Sequence, residues 1–166
     1  MEREKSIKLL NTAVNEELTA VHQYMYFHFH CEDLGYELLS QMFLRIAIVE
    51  MNHVEMLAER ILYLKGDVEM IPKGKIAYIT DPKEMLEKAC EMETGSIDDY
   101  NAWAQECGAI PDSASKALFE DLVKIEEKHQ DQFDTELDNL KKFGNEYLAL
   151  QSVERSKQVA SGKNGG

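Results

Sequence analysis

The sequence predicts an all-α fold: a four-helix bundle with one long crossover connection and a short fifth helix at the C-terminal end. Three observations favour this fold. Helix-forming residues such as Leu, Glu, Ala, Lys and Met are abundant, and the 166 residues include only three prolines. Apolar residues recur with helical spacing over four segments of ~25–30 residues, which corresponds to helices ~38–45 Å long. Short turns join the segments within each pair, whereas a long connection joins the two pairs.

The first pair of helices is predicted at about residues 5–31 and 37–64, with a glycine-containing turn at residues 32–36. Lys65 and Gly66 indicate the end of the second helix, because a cation followed by a glycine is typical of a helix C-terminus.

The crossover connection comprises residues 67–80 and includes the extended stretch KIAYIT. This stretch could instead be a strand of a mixed fold, but nothing else in the chain alternates with period two. The third helix begins at Asp81-Pro82-Lys83-Glu84, which supplies an N-cap aspartate, a proline at the first helical position and a capping-box glutamate.

The second pair of helices ends in a short additional helix. Asp112 or Ser113 is predicted to cap the fourth helix, and residues 145–157 are predicted to form the fifth. Residues 1–157 are then a single domain, and residues 158–166 are expected to be a flexible tail.

Composition excludes several classes of function. The formal net charge of −13 disfavours a nucleic-acid partner, which would need a basic surface, and it favours cations. Cys31, Cys90 and Cys107 are odd in number and form no CxxC motif, which fits a reducing cytoplasm. The sequence has no secretion signal pattern and no apolar run of about 18 residues, so neither export nor a membrane span is expected.

Two Glu-x-x-His motifs occur, one in each half of the chain, and a spacing of three places both side chains of a motif on one helix face. Either motif alone is equally compatible with surface ion pairs. However, a glutamate precedes each motif at the same distance along the chain, and a tyrosine repeats with the same offset as the motifs themselves. The repeated residues are Glu17, Tyr24, Glu50 and His53 in the first half, and Glu93, Tyr100, Glu126 and His129 in the second half.

Four carboxylates and two imidazoles in one bundle interior point to metal binding. Burying an unpaired carboxylate destabilises the fold by roughly several kcal/mol, unless the carboxylate takes up a proton. Two divalent cations would balance four carboxylate charges. Mixed carboxylate and imidazole ligation suits iron or manganese better than calcium or a thiolate-type zinc site.

The chain resembles the bacterioferritins over about residues 5–157. The stretches that carry the resemblance are NEELTAVHQY (15–24), EMNHVEMLAERILYLKG (50–66), KIEEKHQDQFDTELDNLKKFG (124–144) and NEYLALQ (145–151). The resemblance implies a ferritin-like fold with six ferroxidase ligands, Glu17, Glu50, His53, Glu93, Glu126 and His129. It also implies that Glu50 and Glu126 bridge two irons and that Tyr24 lies beside them.

Met51 has two interpretations. A single methionine on a helix usually fills space in a core. Because one residue step turns a helix by ~100°, Met51 is expected to face sideways, on a second apolar stripe that a partner subunit would bury. The stripe consists of Leu44, Ala47, Ile48, Met51, Val54 and Ala58. The resemblance implies a haem held by Met51 from each of two subunits across a two-fold axis.

The resemblance implies an iron-storage ferroxidase. Fe(II) would be oxidised by O₂ or H₂O₂ and stored as ferric mineral inside a cage of 24 subunits, with a ferredoxin-type donor as a possible partner for release. Some relatives carry an inner-surface iron site, but the matching positions here are Arg45 and Val49, which depart from that pattern. The alternatives are a dodecameric protector of the Dps or thioferritin type, a rubrerythrin-like peroxidase, and a non-catalytic helical scaffold.

Overall fold

The structure, a computed structural model, describes residues 2–161 and contains five α-helices and no strand in that range. The helices are α1 (Glu2–Asp33), α2 (Glu37–Tyr63), α3 (Pro82–Gly108), α4 (Ser113–Phe143) and α5 (Asn145–Ala160). The all-α prediction is therefore confirmed. Within residues 2–161, no helix combines the length and the apolar character needed to cross a membrane.

Two helix ends differ from the predictions. Helix α1 begins at Glu2 rather than near residue 5. Helix α5 continues to Ala160, because nothing before Ser161 interrupts the helical sequence. The predicted tail at 158–166 therefore begins inside α5, and its last five residues lie outside the part of the chain that the structure describes. The single-domain boundary stays a prediction.

The four long helices form two pairs, α1 with α2 and α3 with α4. The pairs contact each other more sparsely, through α1 with α3 and α2 with α4. Helix α5 packs across the turn between α1 and α2. The Leu39 N–H donates to Oε1 of Gln151 over 3.3 Å, and the guanidinium of Arg155 donates to the carbonyl of Glu32.

The crossover is fastened along α1 by amide and hydroxyl side chains on one helix face. Asn11 accepts a hydrogen bond from a crossover N–H at 2.8 Å, and Thr19 accepts one at 2.9 Å. Gln23 both donates to the Ala77 carbonyl (2.9 Å) and accepts from the Ala77 N–H (2.6 Å). At ~100° per residue, these three side chains lie within about one third of the helix circumference. KIAYIT, which contains Ala77, forms no strand.

The helix ends follow from specific local contacts. Asp81 caps α3 as predicted, and Asp112 is the residue that caps α4, with its carboxylate accepting from the Ser115 N–H at 3.1 Å. At the end of α2, Lys65 rather than Gly66 adopts the left-handed conformation, with φ of 66°. Gly66 is needed for space, because a Cβ there would lie 2.7 Å from Cγ2 of Ile7.

Two apolar clusters fill the bundle, one toward each end. Tyr24, Phe43 and Phe133 belong to the first, and Tyr100 and Phe119 to the second. A polar layer near the middle of the bundle separates the two clusters. Along α2, α3 and α4, the residues of this layer lie between those of the two clusters. This layer contains the six predicted ligands.

Candidate metal centre

Each long helix contributes to the polar layer. Helices α1 and α3 provide one glutamate each, and α2 and α4 each provide a glutamate and, one turn later, a histidine. All six side chains are buried, and none has more than 4% of its surface exposed: Glu17, Glu50, His53, Glu93, Glu126 and His129. The structure thus brings together every residue of the predicted ligand set.

The six residues form two overlapping groups of possible metal ligands. One group contains Glu17 and His53, the other Glu93 and His129, and both contain Glu50 and Glu126. Within each group the ligand atoms lie within 4.8 Å of one another. Glu50 and Glu126 belong to both groups, which fits the bridging position that the resemblance implies for them.

The shared carboxylates lie close to both imidazoles. Nδ1 of His53 is 2.8 Å from Glu50 and 3.0 Å from Glu126. Nδ1 of His129 is 2.9 Å from Glu50 and 3.1 Å from Glu126. Despite these short distances, both Glu50 oxygens, Oε1 of Glu126 and Nε2 of His53 have no aligned hydrogen-bond partner. Buried polar atoms without partners are costly, so this donor set fits metal ions better than a closed hydrogen-bond network.

Two tyrosines bind the two glutamates that are not shared. The Tyr24 hydroxyl donates to Oε1 of Glu93, and the Tyr100 hydroxyl donates to Oε1 of Glu17. Burial, followed by the charge of the adjacent glutamate, raises the pKa of both tyrosines well above the usual value. Tyr24 was predicted at this centre. The resemblance places only Tyr24 at this centre, but the sequence carries a signal for Tyr100 as well, because the two tyrosines have the same spacing as the two Glu-x-x-His motifs.

The buried carboxyls differ in their affinity for protons. Burial raises the pKa of Glu17 and of Glu93 well above the usual value, and the charges of Glu50 and Glu126 raise both further. Burial also opposes the charged form of Glu126. The close imidazoles of His129 and His53 outweigh that effect and lower the pKa of Glu126 to about 2.

The two imidazoles bind protons strongly. Burial opposes their charged form, but the close surrounding carboxylates favour it and outweigh burial. The pKa of His53 rises to about 12 and that of His129 to about 9. Without metal, the protons on these two imidazoles therefore offset part of the carboxylate charge, and divalent cations that bind to the ring nitrogens would displace them.

Met51 lies on the outer surface of α2, with 44% of its surface exposed, whereas Glu50 and His53 point inward. The predicted apolar stripe around Met51 is partly wrong. Ala47 and Val54 are only 2% and 4% exposed, because the edges of the stripe turn toward the bundle's own core. Ile48 and Met51 remain exposed on this face.

None of the three cysteines belongs to a group of three or more possible metal ligands among residues 2–161. Cys31 and Cys107 are buried, and the half-buried thiol of Cys90 donates to Asp134 at 3.2 Å. Burial raises the pKa of Cys31 and of Cys90 to about 12, and Asp134 adds to the shift at Cys90, so both thiols stay protonated. Arg45 is exposed at the position where an inner-surface ligand was considered.

Comparisons with known proteins agree with this geometry. A family model described as a ferritin-like domain matches residues 7–143. A bacterioferritin of Desulfovibrio desulfuricans is 32% identical over 145 residues, which cover 87% of this chain and 81% of that protein. A bacterioferritin of Brucella melitensis is 33% identical over 142 residues, 86% of this chain and 88% of that protein.

Solved structures give the same relationship. The X-ray structure of the D. desulfuricans bacterioferritin has a TM-score of 0.89 at 31% identity, covering 91% of this chain and 88% of that one. That work describes the diiron site in different catalytic states. The Rhodobacter capsulatus bacterioferritin has a TM-score of 0.86 at 30% identity, covering 90% and 93%. It has a metal-free dinuclear site and haem iron in a crystallographic special position.

Proposed function

This chain belongs to the ferritin-like domain family and, within it, to the bacterioferritins; its function is iron storage, and we propose that it is a ferroxidase. Fe(II) is the substrate, and the six buried residues of the polar layer bind it as a pair of ions. The observation that carries this proposal is the pair of overlapping ligand groups that share Glu50 and Glu126.

The residues of the centre bind the ions, balance their charge and exclude water. Four carboxylates compensate the charge of two Fe(II) ions, and each imidazole supplies a neutral nitrogen donor after losing its proton. The two apolar clusters that flank the layer keep bulk water away from it. Bound iron supplies the redox chemistry: two Fe(II) ions give two electrons, which reduce one H₂O₂ to two waters or one O₂ to H₂O₂.

Oxidation of added Fe(II) followed by stopped-flow absorbance tests this function. Glu50→Ala removes a ligand from both groups, and His129→Ala removes one from a single group. We expect both variants to lose the fast oxidation phase, whereas Glu127→Ala, which removes an exposed carboxylate next to Glu126, should keep it. Oxidation by the unmodified protein no faster than in protein-free buffer would leave the helical scaffold as the better explanation.

Haem binding at Met51 is a separate proposal. The thioether is exposed next to the apolar side chain of Ile48, which is 54% exposed on the same face of α2. This surface fits an apolar porphyrin, and a two-fold axis would place Met51 from two copies on either side of one iron. Haem bound there would supply an electron-transfer group between the outside and the stored iron.

The Soret absorbance after haem reconstitution tests this proposal. Met51→Leu keeps an apolar side chain but removes the sulfur ligand, so we expect it to lose haem binding. Met56→Leu is the matched control, because Met56 is also exposed on α2 (38%) but lies five residues further on, on a different face. Equal haem binding by both variants would refute Met51 as the ligand.

A cage of 24 subunits is proposed for storage of the ferric mineral. Helix α5 exposes Leu150, Val153 and Val159, which fits contacts with further copies of the chain. Light scattering distinguishes the assemblies, because 24 copies of the 19.0 kDa chain give about 456 kDa and 12 copies about 228 kDa. A mass near the lower value would favour the dodecameric protector.

A cytoplasmic location and a ferredoxin-type donor for iron release are further proposals. The three free cysteines support the first of them.

A further inference from the structure

Tyr100 lies in the core beside the proposed metal centre and is fully buried. Its ring packs 5.6 Å from that of Trp103 and 5.8 Å from that of Phe119, measured between ring centroids. Its hydroxyl donates to Oε1 of Glu17, which lies on a different helix. The ring is thus held by the second apolar cluster, while the hydroxyl is directed at a carboxylate of the polar layer.

Tyr24 makes the equivalent arrangement in the other half of the molecule. Its ring packs 5.4 Å from that of Phe133 in the first apolar cluster, and its hydroxyl donates to Oε1 of Glu93. Each tyrosine therefore reaches across the contact between α1 and α3 to the glutamate of the opposite helix. The two arrangements are related by the same internal repeat as the ligands.

The hydrogen bonds separate the four carboxylates into two kinds. Oε1 of Glu17 accepts from Tyr100 and also lies 3.2 Å from Nδ1 of His53, and Oε1 of Glu93 accepts from Tyr24, so in each residue Oε2 is the oxygen without a tyrosine donor. Glu50 and Glu126 have no tyrosine donor: both oxygens of Glu50 and Oε1 of Glu126 have no aligned partner, and Oε2 of Glu126 lies 3.1 Å from Nδ1 of His129. The tyrosines thus favour a terminal position for Glu17 and Glu93.

We infer that Tyr100 is a positioning residue that holds Glu17 as a one-oxygen ligand for the metal position formed with His53, as Tyr24 holds Glu93 for the position formed with His129. This inference rests on the proposed two-metal centre. Tyr100 acts through Glu17 and does not contact the ion. Tyr100 supports one metal position as Tyr24 supports the other. The centre therefore has two matched positions rather than one strong and one weak.

Equilibrium titration with Co(II), followed by its visible absorbance, tests each position separately. In the His129→Ala background only the position of Glu17 and His53 keeps its imidazole, and in the His53→Ala background only the other does. Tyr100→Phe should weaken Co(II) binding by about 10- to 100-fold in the His129→Ala background, the usual effect of losing a group that orients a ligand. In the His53→Ala background it should change binding by less than about twofold.

Tyr24→Phe is the matched control and should give the opposite pattern. Far-ultraviolet circular dichroism checks that each variant is folded, and Tyr100→Leu replaces Tyr100→Phe if the latter does not fold. Equal weakening in both backgrounds, or in neither, would overturn the role of Tyr100. If the unmodified protein binds fewer than two Co(II) ions per chain, the proposed metal centre fails, and the inference fails with it.

Discussion

Metal binding should release a defined number of protons from the polar layer. The perturbation is the addition of Co(II), which does not oxidise as readily as Fe(II), to the metal-free protein at pH 7. Because the pKa of His53 is about 12 and that of His129 about 9, both imidazoles carry a proton at this pH. At two units below its pKa, only about one His129 in a hundred is neutral. A ligating imidazole must be neutral, so both protons have to leave.

The carboxyls increase this number. The pKa of Glu17 and that of Glu93 are raised by burial and then by the charges of Glu50 and Glu126, so these carboxyls bind protons more readily than ordinary glutamates do. Two Co(II) ions should therefore displace between about two protons, from the imidazoles alone, and about four, when both carboxyls contribute. At four protons the exchange leaves the net charge of the layer unchanged.

Isothermal titration calorimetry in buffers of different ionisation enthalpy measures this number, because the observed heat changes with the buffer in proportion to the protons released. His129→Ala should release about one proton fewer, since one imidazole is gone. Glu127→Ala, with an exposed side chain outside the layer, should match the unmodified protein. A release clearly below two protons per chain at saturation would refute the charge compensation described for the metal-free centre.

Three further predictions concern stability, and urea unfolding of the metal-free protein measures each. The pKa of His129 is about 9 in the folded protein and about 6.5 in the unfolded chain, so protonated His129 stabilises the fold fully below about pH 6.5. This contribution is lost as pH rises through about 9, and the urea midpoint should therefore decrease between these two pH values. A midpoint that rises would contradict the assigned pKa. Phe133→Ala should lower the free energy of unfolding by about 3–5 kcal/mol, because the fully buried ring of Phe133 packs on Tyr24. The control Phe143→Ala should lower it by less than about 0.5 kcal/mol, because that side chain is 50% exposed. Similar losses would refute the assigned core. Asp81→Ala removes a helix cap and should lower the free energy of unfolding by about 1 kcal/mol. Asp112→Ala should lower it further, because Asp112 caps α4 and also forms an ion pair with Arg60. Equal losses would show that the ion pair contributes nothing.

Much of the fold could be predicted from local patterns. Helical spacing of apolar residues and the capping signal at Asp81 identified the four long helices, because both signals are written in consecutive residues. The crossover was predicted by length alone. The side chains that fasten it, Asn11, Thr19 and Gln23, carried no signal of their own, since a polar residue on a helix is ordinarily solvated.

The sequence by itself determined which six residues form the candidate centre, because an internal repeat can be read without knowing any contact. Only the tertiary structure decided how they divide into two groups that share Glu50 and Glu126, and that Tyr100 supports Glu17. It also decided that Ala47 and Val54 belong to the bundle's own core and not to the outer stripe of Met51. The physical reason is the same in each case. Periodicity fixes the face of a helix on which a side chain lies, whereas its partner depends on which distant helix packs against that face.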